Sequence, residues 1–167
     1  PIISNILYPR ILDSYRIDPK EKFIDKLKLV YFFNLALALS IYVFFLFFGD
    51  LIIELLFGGK YVQSGIILKT YSATMIFVFF NALNNKLLIL ANLQKLMLSR
   101  NILGLIINLF LGLVLIPKIG IIGAAIGTLI TQFLVMLSYG LHNKTRYILW
   151  LQLKSLIYPY YFLKERT

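Results

Sequence analysis

Residues 29–48 are twenty consecutive positions without a charge, and Asn34 and Ser40 are their only clearly polar members. A helix rises 1.5 Å per residue, so about 20 such residues match the ~30 Å of a bilayer's hydrocarbon. Lipid offers no partner to an unpaired backbone group, so a run of this kind must cross as a helix. Three more runs qualify, at 66–91, 98–116 and 119–139. Pro117 is expected to stop the third, because it lacks an amide donor and disfavours helix just before it. Gly140 ends the fourth. The apolar stretch 51–57 is too short to span; between Asp50 and Gly58 it reads as a short interfacial helix. The stretch 147–163 contains Lys154 and Pro159 and reads as an amphipathic or partial span, lying at the interface. The expected fold is thus all-α and polytopic. A membrane lobe covers 1–140, with a cytoplasmic stretch at 9–28, and a cytoplasmic or interfacial tail follows at 141–167.

Composition agrees. Sixty per cent of the 167 residues are hydrophobic and 14% are charged, against roughly 45–50% and 25% in soluble domains. That excludes a soluble globular domain, a disordered tail and a collagen-like or coiled-coil rod. A net charge of +10 would suggest nucleic acid in a soluble protein. Here the cations belong in loops, so they report orientation and imply no nucleic-acid partner. Zero Cys and a single His exclude disulfides, thiolate metal sites and multi-His sites within the chain. No cofactor or metal is expected. The chain opens on Pro1 inside an apolar run without a signal-peptide pattern, which reads as a fragment of a longer polypeptide.

Arg10, Arg16, Lys20, Lys22, Lys26 and Lys28 precede the first run; Lys86, Lys95 and Arg100 surround the second turn; Lys144 and Arg146 follow the fourth run. The alternate side holds Lys60, Lys69 and Lys118. The richer side is expected in the cytoplasm. All seven acids lie outside the span cores. Proton relays and sodium sites in membranes use buried acids, so any ion coupling would need residues from elsewhere.

At 100° per residue, Thr70, Thr74, Asn81, Asn84 and Asn85 fall within about 100° of arc on the second run. The third run places Asn101, Gly104, Asn108 and Gly112 on one face. The fourth places Gly120, Gly123, Ala124, Gly127, Thr131 and Ser138 on one face. Small residues let helices approach closely, and Asn and Thr can hydrogen-bond between them. Gly120, Gly123 and Gly127 are therefore expected at a helix contact. The amides exceed what packing needs, and amides that donate and accept together suit hydroxyl-rich ligands. The candidate cavity residues are Asn34, Thr74, Asn81, Asn84, Asn85, Lys86 and Asn108. Lys86 lies roughly 8 Å from the end of its run, within snorkelling reach. Alternatively it lines a cavity as a point charge toward an anionic headgroup such as a diphosphate. Tyr42, Tyr71, Tyr139, Tyr147 and Trp150 are expected as interfacial aromatics.

Three stretches resemble one family. Leu56, Phe57, Gly58, Tyr61, Ser64 and Leu68 fit the pattern LFG-x-x-Y-x-x-[SA]-x-x-x-L. Leu115, Ile116, Pro117, Gly120, Gly123, Ala124, Ala125, Gly127 and Thr128 fit LIP-x-x-G-x-x-G-A-A-x-[AG]-T. Leu7, Tyr8, Pro9 and Arg10 are a weaker match before a charged stretch. Over residues 1–140 the chain resembles the bacterial polysaccharide flippases, O-antigen and capsule repeat-unit exporters of the multidrug/oligosaccharidyl-lipid/polysaccharide (MOP) superfamily. The resemblance implies spans nine to twelve, in the C-terminal lobe of a MATE-like two-lobed transporter working by alternating access. It implies a polyprenyl-diphosphate-linked oligosaccharide as substrate in the bacterial cytoplasmic membrane, and no enzymatic activity. It also implies an N-terminal lobe, membrane lipids, a polysaccharide polymerase and export machinery as partners. A drug or peptidoglycan-precursor exporter of the same superfamily, or a small structural helix bundle, are the alternatives. An integral glycan-assembly enzyme would be expected to carry acids, His or clustered Arg in a large outer loop, and the outer loops here are short.

Overall fold

The computed structural model describes residues 17, 19–61 and 63–164, and side chains within these except at 20, 60, 63 and 156–164. The stretch Leu7, Tyr8, Pro9 and Arg10 lies outside the described residues, as does Arg16. Five helices follow one another: α1 (Lys20–Phe57), α2 (Gln63–Leu90), α3 (Gln94–Ile119), α4 (Ile122–Leu137) and α5 (Arg146–Lys164). Short 3-10 turns sit at Gly59–Tyr61 and Ser138–Gly140. Four helices among the described residues are long and apolar enough to cross a membrane: Glu21–Phe57, Ser64–Leu90, Gln94–Ile119 and Ile122–Gly140. The fold is an all-α polytopic membrane protein.

Several boundaries differ from the expectation: the first span already begins as helix at Lys20, inside the stretch expected to be a cytoplasmic segment, and the third begins at Gln94. Residues 51–57 are not a separate interfacial helix; they are the last two turns of α1, whose 38 residues extend about 57 Å. Asp50 does not break the helix because its carboxylate is met from α2 by the Lys69 ammonium. Gly58, at φ +76°, ends it in a conformation side-chain-bearing residues avoid. Pro117 does not stop α3 either. It sits in the final turn, where its missing donor removes one bond, and the helix runs on to Ile119. Gly120 ends α3 at φ +68°, its N–H donating to the Ile116 carbonyl at 2.9 Å.

The helices pack in the order α5, α1, α2, α4, α3. α1 and α2 are antiparallel, with Tyr31 opposite Asn84 near one end and Asp50 opposite Lys69 near the other. Lys69 and Lys86 lie about 26 Å apart along α2 at 1.5 Å per residue, close to the ~30 Å of hydrocarbon. α3 and α4 form a hairpin on small residues. A Cβ on Gly123 would come within 2.6 Å of the Leu115 backbone, and one on Gly127 within 3.4 Å of Leu111 Cβ. One on Gly104 would meet Val135 Cγ2 at 2.8 Å. Gly120 is different: a Cβ there would meet nothing within 4 Å, so it is a turn residue and not a contact residue. The 147–163 segment belongs to α5, which lies along α1 and buries Ile148, Leu151, Gln152 and Ser155. A core of Leu27, Tyr31, Phe80, Leu83, Leu87, Leu88, Tyr139, Ile148 and Leu151 joins α1, α2, α5 and the turn after α4.

Gly123→Val is expected to destabilise the bundle by about 2 kcal/mol through overpacking against backbone, and Gly120→Ala by about 1 kcal/mol through its positive φ. Gly127→Ala, with 3.4 Å available, is expected to cost less than Gly123→Val. Reversible SDS unfolding followed by circular dichroism measures all three.

Candidate functional site: an amide-lined cleft

α2 and α3 are joined by a turn of three residues, with Asn92 at φ +55°, yet they barely touch. The turn closes on itself through Leu93 N–H to the Leu88 carbonyl. α4, not α3, fills the seam beside α2. The space left between α2, α3 and α4 is a cleft of about 370 Å³. Asn81 and Asn85 line it from α2, Asn101 and Asn108 from α3, and Thr131 and Gln132 from α4. Gly104 forms part of the wall, where a side chain would strike Val135. None of the lining residues carries a charge.

The amides are partly committed. Asn81 Nδ2 donates to the Gln132 carbonyl at 3.2 Å and to Gln132 Oε1 at 2.8 Å, leaving its buried Oδ1 unpartnered. Asn108 Nδ2 reaches Thr128 Oγ1 at 3.4 Å. Asn85 Oδ1 accepts from the Tyr139 hydroxyl at 3.3 Å. Uncommitted amide capacity inside a membrane span is costly unless water, ligand or another helix meets it.

The candidates read from the sequence divide. Asn81, Asn85 and Asn108 come together in the cleft. Asn84 does not: it faces α1 and α5, where its Oδ1 accepts from the Tyr31 hydroxyl and from Gln152 Nε2 at 2.8 Å. Adjacent positions diverge by 100° on a helix. α2 is packed on two sides, so Asn84 and Asn85 enter different seams. Asn34 is buried on α1 and donates to the Val30 carbonyl at 3.0 Å. Thr74 is buried on α2 away from the cleft lining, and Lys86 is half-buried and does not line it. Asn101 and Thr131 shared the small and polar faces of their runs but were not among the candidates. Gln132 was missed, though an amide in the middle of an apolar run is itself a signal.

A second group was also missed. Arg100, counted with the loop cations, is 5% exposed inside α3. Its guanidinium stacks 4.1 Å over the Tyr139 ring. Its Nη2 donates to Thr145 Oγ1 and to the Ser138 carbonyl at 3.3 Å. A cation at the carbonyl end of α4 is favourably placed against the helix dipole. Tyr139, expected at the interface, is 1% exposed in the core; Arg100 and the Asn85 amide supply polar partners there. Tyr71, Tyr147 and Trp150 are about half exposed. Among the described residues no group of three or more His, Cys, Asp or Glu is placed to hold a metal ion.

Comparison with known proteins finds similarity to a capsule-biosynthesis protein and to an uncharacterized membrane protein. The chain is 26% identical over 137 residues to Capsular polysaccharide biosynthesis protein CapF of Staphylococcus aureus, covering 82% of this chain and 35% of that protein. It is 27% identical over 135 residues to Uncharacterized membrane protein MJ1068 of Methanocaldococcus jannaschii, covering 80% of this chain and 26% of that protein. The chain thus spans about a third and a quarter of these relatives' lengths. No protein-family profile matches it, and no solved structure matches it. The chain is a helical membrane protein similar to a capsule-biosynthesis protein.

Replacing Asn84 by Leu removes the acceptor of both Tyr31 and Gln152 and is expected to destabilise the bundle by about 2 kcal/mol. Tyr31→Phe is expected to cost about 1 kcal/mol. A double-mutant cycle in SDS unfolding should return a non-zero coupling between them.

Proposed function

We propose that the chain is part of a transporter that carries a lipid-linked oligosaccharide across the bacterial cytoplasmic membrane by alternating access. The observation that carries this reading is the uncharged cleft of amides and hydroxyls opening within the four-span bundle. Carboxamides both donate and accept, as sugar hydroxyls do. The likeness to the Staphylococcus aureus capsule protein and the two flippase-like motifs support the same substrate class. The prenyl chain would lie along the exposed apolar sides of α1 and α3, where Phe33, Phe47, Leu105 and Phe110 face outward. A diphosphate would meet the basic end of the bundle, with Lys86 and Lys95 as point charges and Arg146 as a planar fork. The cleft lining holds no acid, His or Lys to drive a covalent step, so the proposed role is a carrier and not an enzyme. The termini are proposed to face the cytoplasm, with the 58–69 loop outside. A second lobe, a polysaccharide polymerase and export machinery are the proposed partners.

A second reading is that another helix fills the cleft. It draws on a neighbouring groove of about 470 Å³ along α3, lined by Leu105, Asn108, Gly112 and Ile116. Both readings meet in one experiment: Asn101→Leu and Asn108→Leu in the chromosomal gene of a glycan-exporting host. The transporter reading predicts at least a tenfold fall in surface glycan at normal protein level, with accumulation of the lipid-linked precursor. Unchanged surface glycan overturns it. A fall in protein level that matches the fall in glycan supports the packed-helix reading instead.

A further inference from the structure

Asn85 occupies the boundary between the buried core and the cleft. Its Oδ1 is engaged by the Tyr139 hydroxyl at 3.3 Å, and it lines the cleft. The two ends of a carboxamide point to opposite sides of Cγ. With Oδ1 held by Tyr139, Nδ2 is turned away from the core, on the side of the cleft that Asn85 lines. Tyr139 is itself fixed: it is 1% exposed, and the Arg100 guanidinium lies 4.1 Å above its ring. A cation over a phenol draws electron density from the ring. That strengthens the O–H as a donor and weakens its oxygen as an acceptor, which favours Oδ1 over Nδ2 as the partner. Arg100 is held in turn by Thr145 Oγ1 and the Ser138 carbonyl, and Thr145 by the Tyr139 carbonyl at 2.8 Å. One turn earlier Asn81 is committed in the opposite sense, its donor spent on Gln132. The amide donors facing this end of the cleft are therefore those of Asn85 and, across it on α3, Asn101.

We infer that Tyr139, stacked under Arg100, is a positioning residue that fixes the Asn85 carboxamide so that Nδ2 is presented to the cleft as a donor for a sugar oxygen. The inference rests on the cleft being a glycan site, and it adds the polarity with which that site reads its ligand. Tyr139 touches no ligand; it acts through Asn85. Tyr139→Phe keeps the ring and the stack and removes the hydroxyl, which also meets Asn84 and Arg100, so the readout specific to this role is the Asn85 side-chain resonance.

The test uses the purified full chain in lauryl dimethylamine oxide micelles, titrated with dodecyl maltoside as the glycan probe. The side-chain ¹⁵N resonances of Asn85 are assigned by their loss in Asn85→Asp. The wild-type pair should shift saturably with the maltoside. In Tyr139→Phe the maltoside affinity should fall about fivefold, as for one lost oriented hydrogen bond, and the ligand-free Asn85 resonances should move while the backbone spectrum away from the site does not. Asn85→Ala should lose a similar factor, and the double variant should be no worse than Asn85→Ala alone. Full affinity in Tyr139→Phe with reduced affinity in Asn85→Ala overturns the positioning role and leaves the cleft as a glycan site. Unchanged affinity in both, or no saturable shift in the wild type, overturns the inference together with the site beneath it, whatever the surface-glycan result.

Discussion

A buried polar network at the basic end of the bundle sets the position of everything else. α1 supplies Tyr31, α2 supplies Asn84 and Asn85, α3 supplies Arg100, the turn after α4 supplies Tyr139, and α5 supplies Gln152. Apolar side chains gain little by leaving lipid for one another, so packing and hydrogen bonds must choose among helix arrangements. Each such bond contributes about 0.6 kcal/mol on average, too little to hold the fold alone. Their directionality matters more. A polar side chain buried in hydrocarbon without its partner is penalised, and that penalty selects the register of α1 on α2 and docks α5 against both.

The remaining architecture follows from a contrast between two pairs of neighbours. α3 and α4 approach to backbone contact because Gly123 and Gly127 carry no side chain where they cross Leu115 and Leu111. α2 and α3 carry Asn81, Asn85, Asn101 and Asn108 where they face each other, and they stay apart. These amides line the space between them. At the opposite end, Gly49 and Gly65 admit the Asp50 and Lys69 side chains between α1 and α2, so a charged pair sits where the hydrocarbon ends.

The sequence carried the fold class plainly, because a charge-free run such as 29–48 has few alternatives. It carried the small-residue face of α4 as well, in the spacing of Gly123 and Gly127. It carried the site only in part. Asn81, Asn85 and Asn108 were visible as polar positions on apolar helices, but a wheel cannot tell which of two packed seams a residue enters, and Asn84 went to the other one. Arg100 looked like a loop cation because its partners lie 38 and 45 residues away. Tyr139 looked interfacial for the same reason, since only the tertiary contact with Arg100 and Asn85 accounts for a buried hydroxyl. The ends of α1 and α3 were misplaced because Asp50 and Pro117 were read locally. An ion pair from α2 and a position in the last helical turn make each of them tolerable.

The central claim is that the cleft is a wet, ligand-accessible space inside the membrane span. The chain contains no Cys, so single cysteines at Asn81, Asn101 and Asn108, with the outward-facing Phe110 as control, can be read without background. The most direct measurement is their reaction with a membrane-impermeant thiol reagent in native membranes. The cleft positions should react, Phe110→Cys should not, and a saccharide-bearing ligand should protect the former. Cleft cysteines as unreactive as Phe110→Cys would show a dry, packed seam and contradict a ligand-accessible cleft.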